Sequence, residues 1–336
     1  MEEEPIILNE LPLTEAFIPT RLLHREGQLR EIERCLKPAL RNRSIENIFL
    51  TGPTGTGKTL LAKWILETHF KEISAYVSCW DYRRTHEVLR EILVRMGKPV
   101  HGREPTGDLI KLLLKVLEKR KLIVCLDEVD QLKEVDQLKE FDVLYTLARN
   151  GCGLTLISNH YHALMHLDSR IKSSLALTEV NFPAYTKDEI FDIIKDRLQF
   201  ALRPGAVEES LLRTISAMAN GDARIALQIV HKSAKRAEDK RLKQITIEEV
   251  KQASKEAHKL KKSYLLSKLN DHQRAIYEIL EKKVKVPSGA LYKEYCAAIS
   301  NPAGDRAYRN YMKRMVELGL VKVEGKGRWK SYEIVM

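Results

Sequence analysis

The chain has 336 residues, 44% of them apolar and 31% charged, with a formal net charge of +11. That length allows two or three domains with real cores, and the apolar content excludes a disordered chain. No apolar run approaches the roughly 20 residues of a bilayer-crossing helix, and the acidic start MEEEPIILNE lacks the basic flank of a signal peptide, so a cytoplasmic chain with no membrane partner is expected.

To about residue 180, short apolar runs alternate with helical patterns. The sequence predicts strands at Asn47–Thr51, Ile73–Ser78, Leu122–Leu126, Leu154–Ser158 and Leu177–Val180. Each has almost no polar alternation, as in a parallel sheet covered on both faces. Helical stretches fall between them at Leu60–Phe70, Glu87–Met96 and Asp108–Lys119. The βαβ succession makes an α/β domain with helices on both sides. The five cysteines, Cys35, Cys79, Cys125, Cys152 and Cys296, form no CxxC pair, and Cys79 and Cys125 sit in apolar runs that suit buried thiols.

After the first predicted strand comes TGPTGTGKT, which satisfies GxxxxGK[ST] with Gly52, Gly57, Lys58 and Thr59. Glycines let successive backbone N–H groups of Thr54, Gly55, Thr56 and Gly57 turn inward around phosphate oxygens, and the following helix adds its positive end. Lys58 would supply a charge to the β- and γ-phosphates, and Thr59 would ligate Mg²⁺. The run LIVCL then ends in Asp127, a carboxylate at a strand end beside the loop, where metal coordination needs one. Glu128, next in sequence, is placed to orient an attacking water.

The hexapeptide EVDQLK occurs at Glu128–Lys133 and again at Glu134–Lys139. The second copy follows Asp130-Gln131-Leu132-Lys133, which makes no buried strand. Glu134 and Asp136 are therefore expected on a solvated helix running toward Arg149, and one site is expected, not two.

From Thr186 to about Lys259 the β signal disappears and helical periodicity takes over, with Thr186/Glu189 and Thr246/Glu249 in capping-box spacing. A polar segment, KEAHKLKKS, leads to a last unit of three helices, near Asp271–Lys283, Ser288–Ile299 and Asp305–Leu318. The hairpin LVKVEGKGRWKSYEIVM follows, completing the layout of a winged helix-turn-helix. Charge is divided along the chain. From His231 onward there are 25 Lys and Arg against 13 Asp and Glu, whereas the preceding residues hold 32 against 33. All the excess positive charge lies at one end, which points to an anionic polymer. Arg306, Tyr308, Arg309, Asn310 and Lys313 are expected on the exposed side of the last helix, with Tyr311, Met315 and Leu318 toward the core. Lys326, Arg328, Trp329 and Lys330 are expected at the wing tip, facing phosphates or a minor groove.

Two further elements suit an ATPase. LTLISNH ends a strand with Ser158-Asn159, and NGDARIALQ places Arg224 at a helix start. Together the pieces resemble the AAA+ ATPases, in which Asn159 and Arg224 would be the first and second sensors. LLHREGQLREI, GPTGTGKT, LDEVDQL, LISN, LDSRIKSSL, VNFPAYTKDEIFDIIKDR and NGDARIAL, followed by a winged helix, look like the archaeal Orc/Cdc-type replication initiators over nearly the whole chain.

That resemblance implies an AAA+ P-loop base at 1–183, an all-helical lid at 184–259 and a winged-helix DNA-binding domain at 260–336. It implies ATP or ADP with Mg²⁺, double-stranded origin DNA, other initiator copies on DNA and the replicative helicase as partners. It also implies nucleotide contacts from Tyr185, Arg197 and Arg224, and adenine contacts from His24 and Arg25. Many AAA+ relatives carry an arginine in the KSS region that completes a neighbour's site. Ser173 and Ser174 stand there, with Arg170 nearest, so slow turnover or a lasting ADP state is expected. His160, His162 and His166 read as polar residues of a short helix, not metal ligands. The WDYRR patch, Trp80–Arg84, is a second candidate for DNA contact. The alternatives are a signalling-type ATPase whose winged helix contacts protein, and a brisk helper ATPase of DNA transactions.

Overall fold

The computed structural model describes residues 4–132, 142–161, 163–164, 167, 169–283, 285–325 and 329–335. The chain divides into two compact units, Met1–Ile247 and Glu248–Met336. Among the described residues no helix is long and apolar enough to cross a membrane.

In the first unit α1 (Glu26–Leu36) precedes β1 (Ile48–Thr51), and α2 (Lys58–His69) leads to β2 (Ser74–Ser78). Helices α3 (Thr85–Arg95) and α4 (Thr106–Leu117) lead to β3 (Ile123–Asp127), and α5 (Asp142–Arg149) to β4 (Gly153–Ser158). Helix α6 (Ser169–Leu175) leads to β5 (Thr178–Asn181). The five strands are parallel in the order β2-β3-β4-β1-β5. The chain lays β5 on the opposite side of β1 from β4, so the crevice at the carboxyl end of β1 opens where sheet growth reverses.

Strand parity assigns the faces. Val77, Val124, Leu126, Leu154 and Leu156 pack into a core shared with Leu89, Ile92, Leu113 and Leu144 of α3, α4 and α5. Ile123, Cys125 and Ile157 face the other way, into a core with Ile32, Leu61 and Ile65 of α1 and α2. The burial of β1, β3 and β4 along their whole length explains why these runs carry no polar alternation. By the same alternation the last residue of β3, Asp127, falls on the face of α2.

Three helices follow, α7 (Lys187–Ala201), α8 (Glu209–Met218) and α9 (Ala223–Asp239). Thr186 caps α7 in a reciprocal pair with Glu189. The N-terminal segment is strapped onto these helices. Leu8 and Asn9 N–H groups donate to Ala201 O, Arg203 N–H to Ile6 O, and Ile7 N–H to Glu238 Oε1.

Helix α10 (Ile247–Ser267) begins at the division between the units and runs unbroken through residues 259–260. The polar segment expected as a linker is thus helical. There α11 (Asp271–Glu281), β6 (Val286–Pro287), α12 (Ser288–Ala298), α13 (Asp305–Glu317), β7 (Val321–Glu324) and β8 (Ser331–Ile334) follow. The strands form an antiparallel sheet in the order β6-β8-β7. Ile276, Leu280, Leu291, Tyr295, Met312, Met315 and Leu320 fill the core beneath it.

Candidate nucleotide and nucleic-acid sites

The loop between β1 and α2 holds its shape by contacts that only small residues permit. Gly55 has φ of +72°, and a Cβ there would lie 1.7 Å from Asp222 Oδ1. Gly57 has φ of +89°, and a Cβ there would lie 2.7 Å from the Tyr185 hydroxyl. Both conformations are left-handed and strained for any other residue. Lys58 is 5% exposed, and its Nζ donates to Gly52 O at 2.8 Å and Pro53 O at 2.7 Å. Burial pulls its ammonium down to about 8, and the nearby charges of Arg224 and Arg25 add to this against the pull of Asp127 and Asp222. A buried, poorly tolerated cation beside two more is a place where a polyanion is stabilised.

Across the loop stands Asp127. Its Oδ2 accepts from Thr59 Oγ1 at 2.7 Å and from the Tyr76 hydroxyl at 2.7 Å, and its Oδ1 accepts from Glu128 N–H at 2.9 Å. The hydroxyl and the carboxylate are hard oxygen donors side by side, a set that fits Mg²⁺. Burial, with Asp127 beside it, raises the Tyr76 phenol far above its ordinary value. Glu128 follows with φ of +53°, a left-handed conformation uncommon for a non-glycine residue and typical of functional sites. Asn159 comes directly after β4 and is half-buried. Beside it Ser158 Oγ donates to Asp130 Oδ1 at 2.6 Å and accepts from His160 N–H at 3.0 Å. His160 Nε2 lies 3.9 Å from Asp130 Oδ2. His162, His166 and the second EVDQLK copy lie outside the described residues.

The helices after β5 close over the loop. Asp222 caps α9 by accepting from the N–H groups of Arg224 and Ile225, while Ala223 N–H donates to Gly55 O at 3.1 Å. The first turn of α9 is therefore hydrogen-bonded to the loop itself. Arg224 is on that turn, and its Nε pairs with Glu15 Oε1 of the N-terminal segment at 2.8 Å. Arg197, on α7, is buried near the carbonyls of Pro12 and Phe17, with its guanidinium 4.6 Å from the Phe17 ring centroid. Tyr185 is held from below by Arg25, whose guanidinium lies 3.7 Å from its ring centroid. Arg25 is itself buried and donates to Thr56 O, His24 O and Pro183 O. His24 Nε2 lies 2.9 Å from Asp192 Oδ2. The structure thus gathers Lys58, Thr59, Asp127, Glu128, Tyr185 and Arg224 around one crevice.

Sequence reasoning missed Tyr76, Glu15 and Asp222. Tyr76 had a signal, since it shares the parity of Asp127 in a neighbouring strand, but the pairing of β2 with β3 had to be known first. Asp222 had one as a cap, being an Asp directly before a predicted helix start, but its place against the loop had no signal, and Glu15 gave none.

In the second unit, α13 exposes Arg306, Arg309, Asn310 and Lys313, with Arg309 paired to Asp305. The placement of Tyr308 on that face is corrected. Tyr308 is 3% exposed and packs on Tyr292 and Tyr295, with centroids 4.8 and 5.3 Å away. Tyr308, Met312 and Met315 form the buried stripe, and Tyr311 is half-buried and stacked on His272. The buried stripe differs in phase from the expected one because the aromatic cluster of Tyr292 and Tyr295 takes the Tyr308 ring. Trp329 is 88% exposed and Lys330 is also exposed, while Lys326 and Arg328 lie outside the described residues. In the first unit Trp80 is 42% exposed and carries the Arg83 guanidinium 4.8 Å from its ring centroid.

Residues 42–163 match the AAA domain family, and residues 191–255 match the Cdc6 AAA+ ATPase-type lid domain. The chain is similar to ORC1-type DNA replication protein 1 of Halobacterium salinarum, 30% identical over 88% of this chain and 96% of the relative. The structure is similar to the Aeropyrum pernix ORC2 protein in its ADPNP–ADP complexes, with a TM-score of 0.76, 22% identity and coverage of 98% and 94%. It is also similar to the Aeropyrum pernix ORC1 protein in complex with DNA, with a TM-score of 0.70, 27% identity and coverage of 99% and 94%.

Proposed function

Because the chain belongs to the ORC1-type DNA replication proteins, AAA+ ATPases with a Cdc6-type lid, we propose that it binds ATP in the crevice at the end of β1 and recognises duplex origin DNA through its basic second unit. The observation that carries the first half is the convergence of Lys58 and the Thr59–Asp127 hydrogen bond with the first turn of α9. Backbone N–H groups of residues 54–57 would cradle phosphate oxygens, and Lys58 would regain on binding the charge that burial disfavours. Thr59 and Asp127 would hold Mg²⁺, which when bound neutralises charge on the β- and γ-phosphates. Glu128 would orient a water, and Asn159 and Arg224 would face the terminal phosphate.

In this proposal Arg224 leaves Glu15 for the γ-phosphate, so nucleotide state biases the lid through an arginine with two rival partners. Tyr185 and Arg197 line the side where the base and sugar would lie. Turnover is slow, because Ser173 and Ser174 stand where a neighbour-completing arginine would be. The DNA half is supported by the exposed Arg306, Arg309, Asn310, Lys313, Trp329 and Lys330, and by the DNA complex of the 27%-identical relative. We assign α11–α13 with their sheet to a winged helix, α13 entering the major groove and the β7–β8 hairpin acting as the wing. Helicase recruitment is part of the same proposal. Footprinting the purified protein on its own genomic DNA, with ATP and with ADP, tests it. Discrete protected sites whose strength depends on the nucleotide are expected, and no protection in either state would overturn the DNA half.

A further inference from the structure

We propose that Tyr76 is a positioning residue for the divalent cation that accompanies the nucleotide, a reading that rests on the nucleotide site proposed above. Tyr76 belongs to neither the phosphate loop nor the acidic strand end. It comes from β2, whose register sets Tyr76 level with Cys125 and Ser78 level with Asp127. The hydroxyl must therefore reach two residues along the sheet, about 6.6 Å of strand rise, which a long side chain on the correct face can span. Parity supplies that face, since Ala75 and Val77 point into the opposite core.

The consequence is a carboxylate held from three directions. Glu128 N–H fixes Oδ1, while the hydroxyls of Thr59 and Tyr76 both donate to Oδ2, each at 2.7 Å. By donating its proton to Asp127, Thr59 turns its lone pairs away from the carboxylate and toward the phosphate loop. Without the second hydroxyl, rotation about the Cβ–Cγ bond would be opposed only by Glu128 N–H at Oδ1 and by Thr59 at Oδ2, and Thr59 would lose the fixed acceptor that orients it. Tyr76 is clamped in turn, because Lys63, one helical turn beyond Thr59, lies with its Nζ 4.5 Å from the ring centroid. A partner that orients a ligand without touching the metal typically contributes tenfold to a hundredfold in metal affinity.

The full-length chain and its Tyr76→Phe variant test this with fluorescent ADP, first in excess EDTA and then over a Mg²⁺ titration. The variant keeps the ring and its Lys63 contact and removes the hydroxyl alone. Equal ADP affinity in EDTA, with the Mg²⁺ midpoint raised about tenfold or more in the variant, is the expected result. Electron paramagnetic resonance of Mn²⁺ in the presence of ADP should show the same loss of bound cation. An unchanged or lowered Mg²⁺ midpoint overturns the proposal. So does loss of ADP affinity in EDTA, which would make Tyr76 a support of the whole loop. Absence of nucleotide binding by the parent chain sinks the nucleotide reading as well, and is thereby told apart from failure of Tyr76 alone.

Discussion

Lys58 is 5% exposed and bonded to two carbonyls of its own loop, whereas Arg306, Arg309, Asn310 and Lys313 stand in solvent along one side of α13. One region concentrates charge in a buried, shaped crevice where each group has a fixed geometry. The other spreads charge over side-chain tips whose exposed pairs contribute little to folding. The contrast teaches that the two anionic partners proposed here are held by different physics. A nucleotide meets preorganised dipoles, and duplex DNA meets a movable set of cations whose effect comes from counterion release.

Lys58→Ala strikes the crevice hardest. It should cost about 3 kcal/mol of ATP affinity, roughly a hundredfold, by calorimetry. DNA affinity without nucleotide should stay within about twofold, and a parallel loss would erase the contrast.

Gly55→Ala comes next, because its Cβ would collide with Asp222 in a left-handed backbone. A loss of about 2 kcal/mol is expected in the thermal melting of the nucleotide-free protein.

The pH dependence is smaller. Free Lys58 titrates at about 8, below its ordinary value, and a bound triphosphate must raise it again. Nucleotide binding above pH 8 should therefore take up a proton, and affinity should fall by up to about tenfold per pH unit until the bound-state pKa is reached. Calorimetry in buffers of different ionisation enthalpy reads the proton directly.

On the diffuse side, Arg306→Ala or Lys330→Ala should each flatten the slope of log affinity against log salt by about 0.9 for every phosphate the variant no longer neutralises. Tyr308→Phe should do least. The Tyr308 hydroxyl is buried with no hydrogen-bond partner among the described residues, so its removal should leave DNA affinity unchanged and stability within about 0.5 kcal/mol.

The same contrast governs how much could be read from sequence. The crevice was legible because its parts sit in continuous runs whose order is dictated by backbone geometry: Gly52 to Thr59 between a strand and a helix, and Asp127 at the end of LIVCL. The strands were legible for the same reason, with ends within a residue of β1, β2, β3, β4 and β5. Asp222 against Gly55, Glu15 against Arg224 and Tyr76 against Asp127 were not, since each joins residues far apart in the chain. The phase of α13 was misjudged because Tyr308 and Tyr311 offer equal hydrophobic surface at neighbouring helical positions. The aromatic cluster with Tyr292 and Tyr295 decided between them.

Arg25 ties His24, Thr56 and Pro183 together by its guanidinium and lays that group against Tyr185. In a secreted protein such a knot between distant stretches of chain would commonly be a disulfide, but all five cysteines here are free thiols. A guanidinium cross-tie needs no oxidant and no enzyme to form. It is held by non-covalent bonds alone, so it comes apart with the fold and re-forms with it.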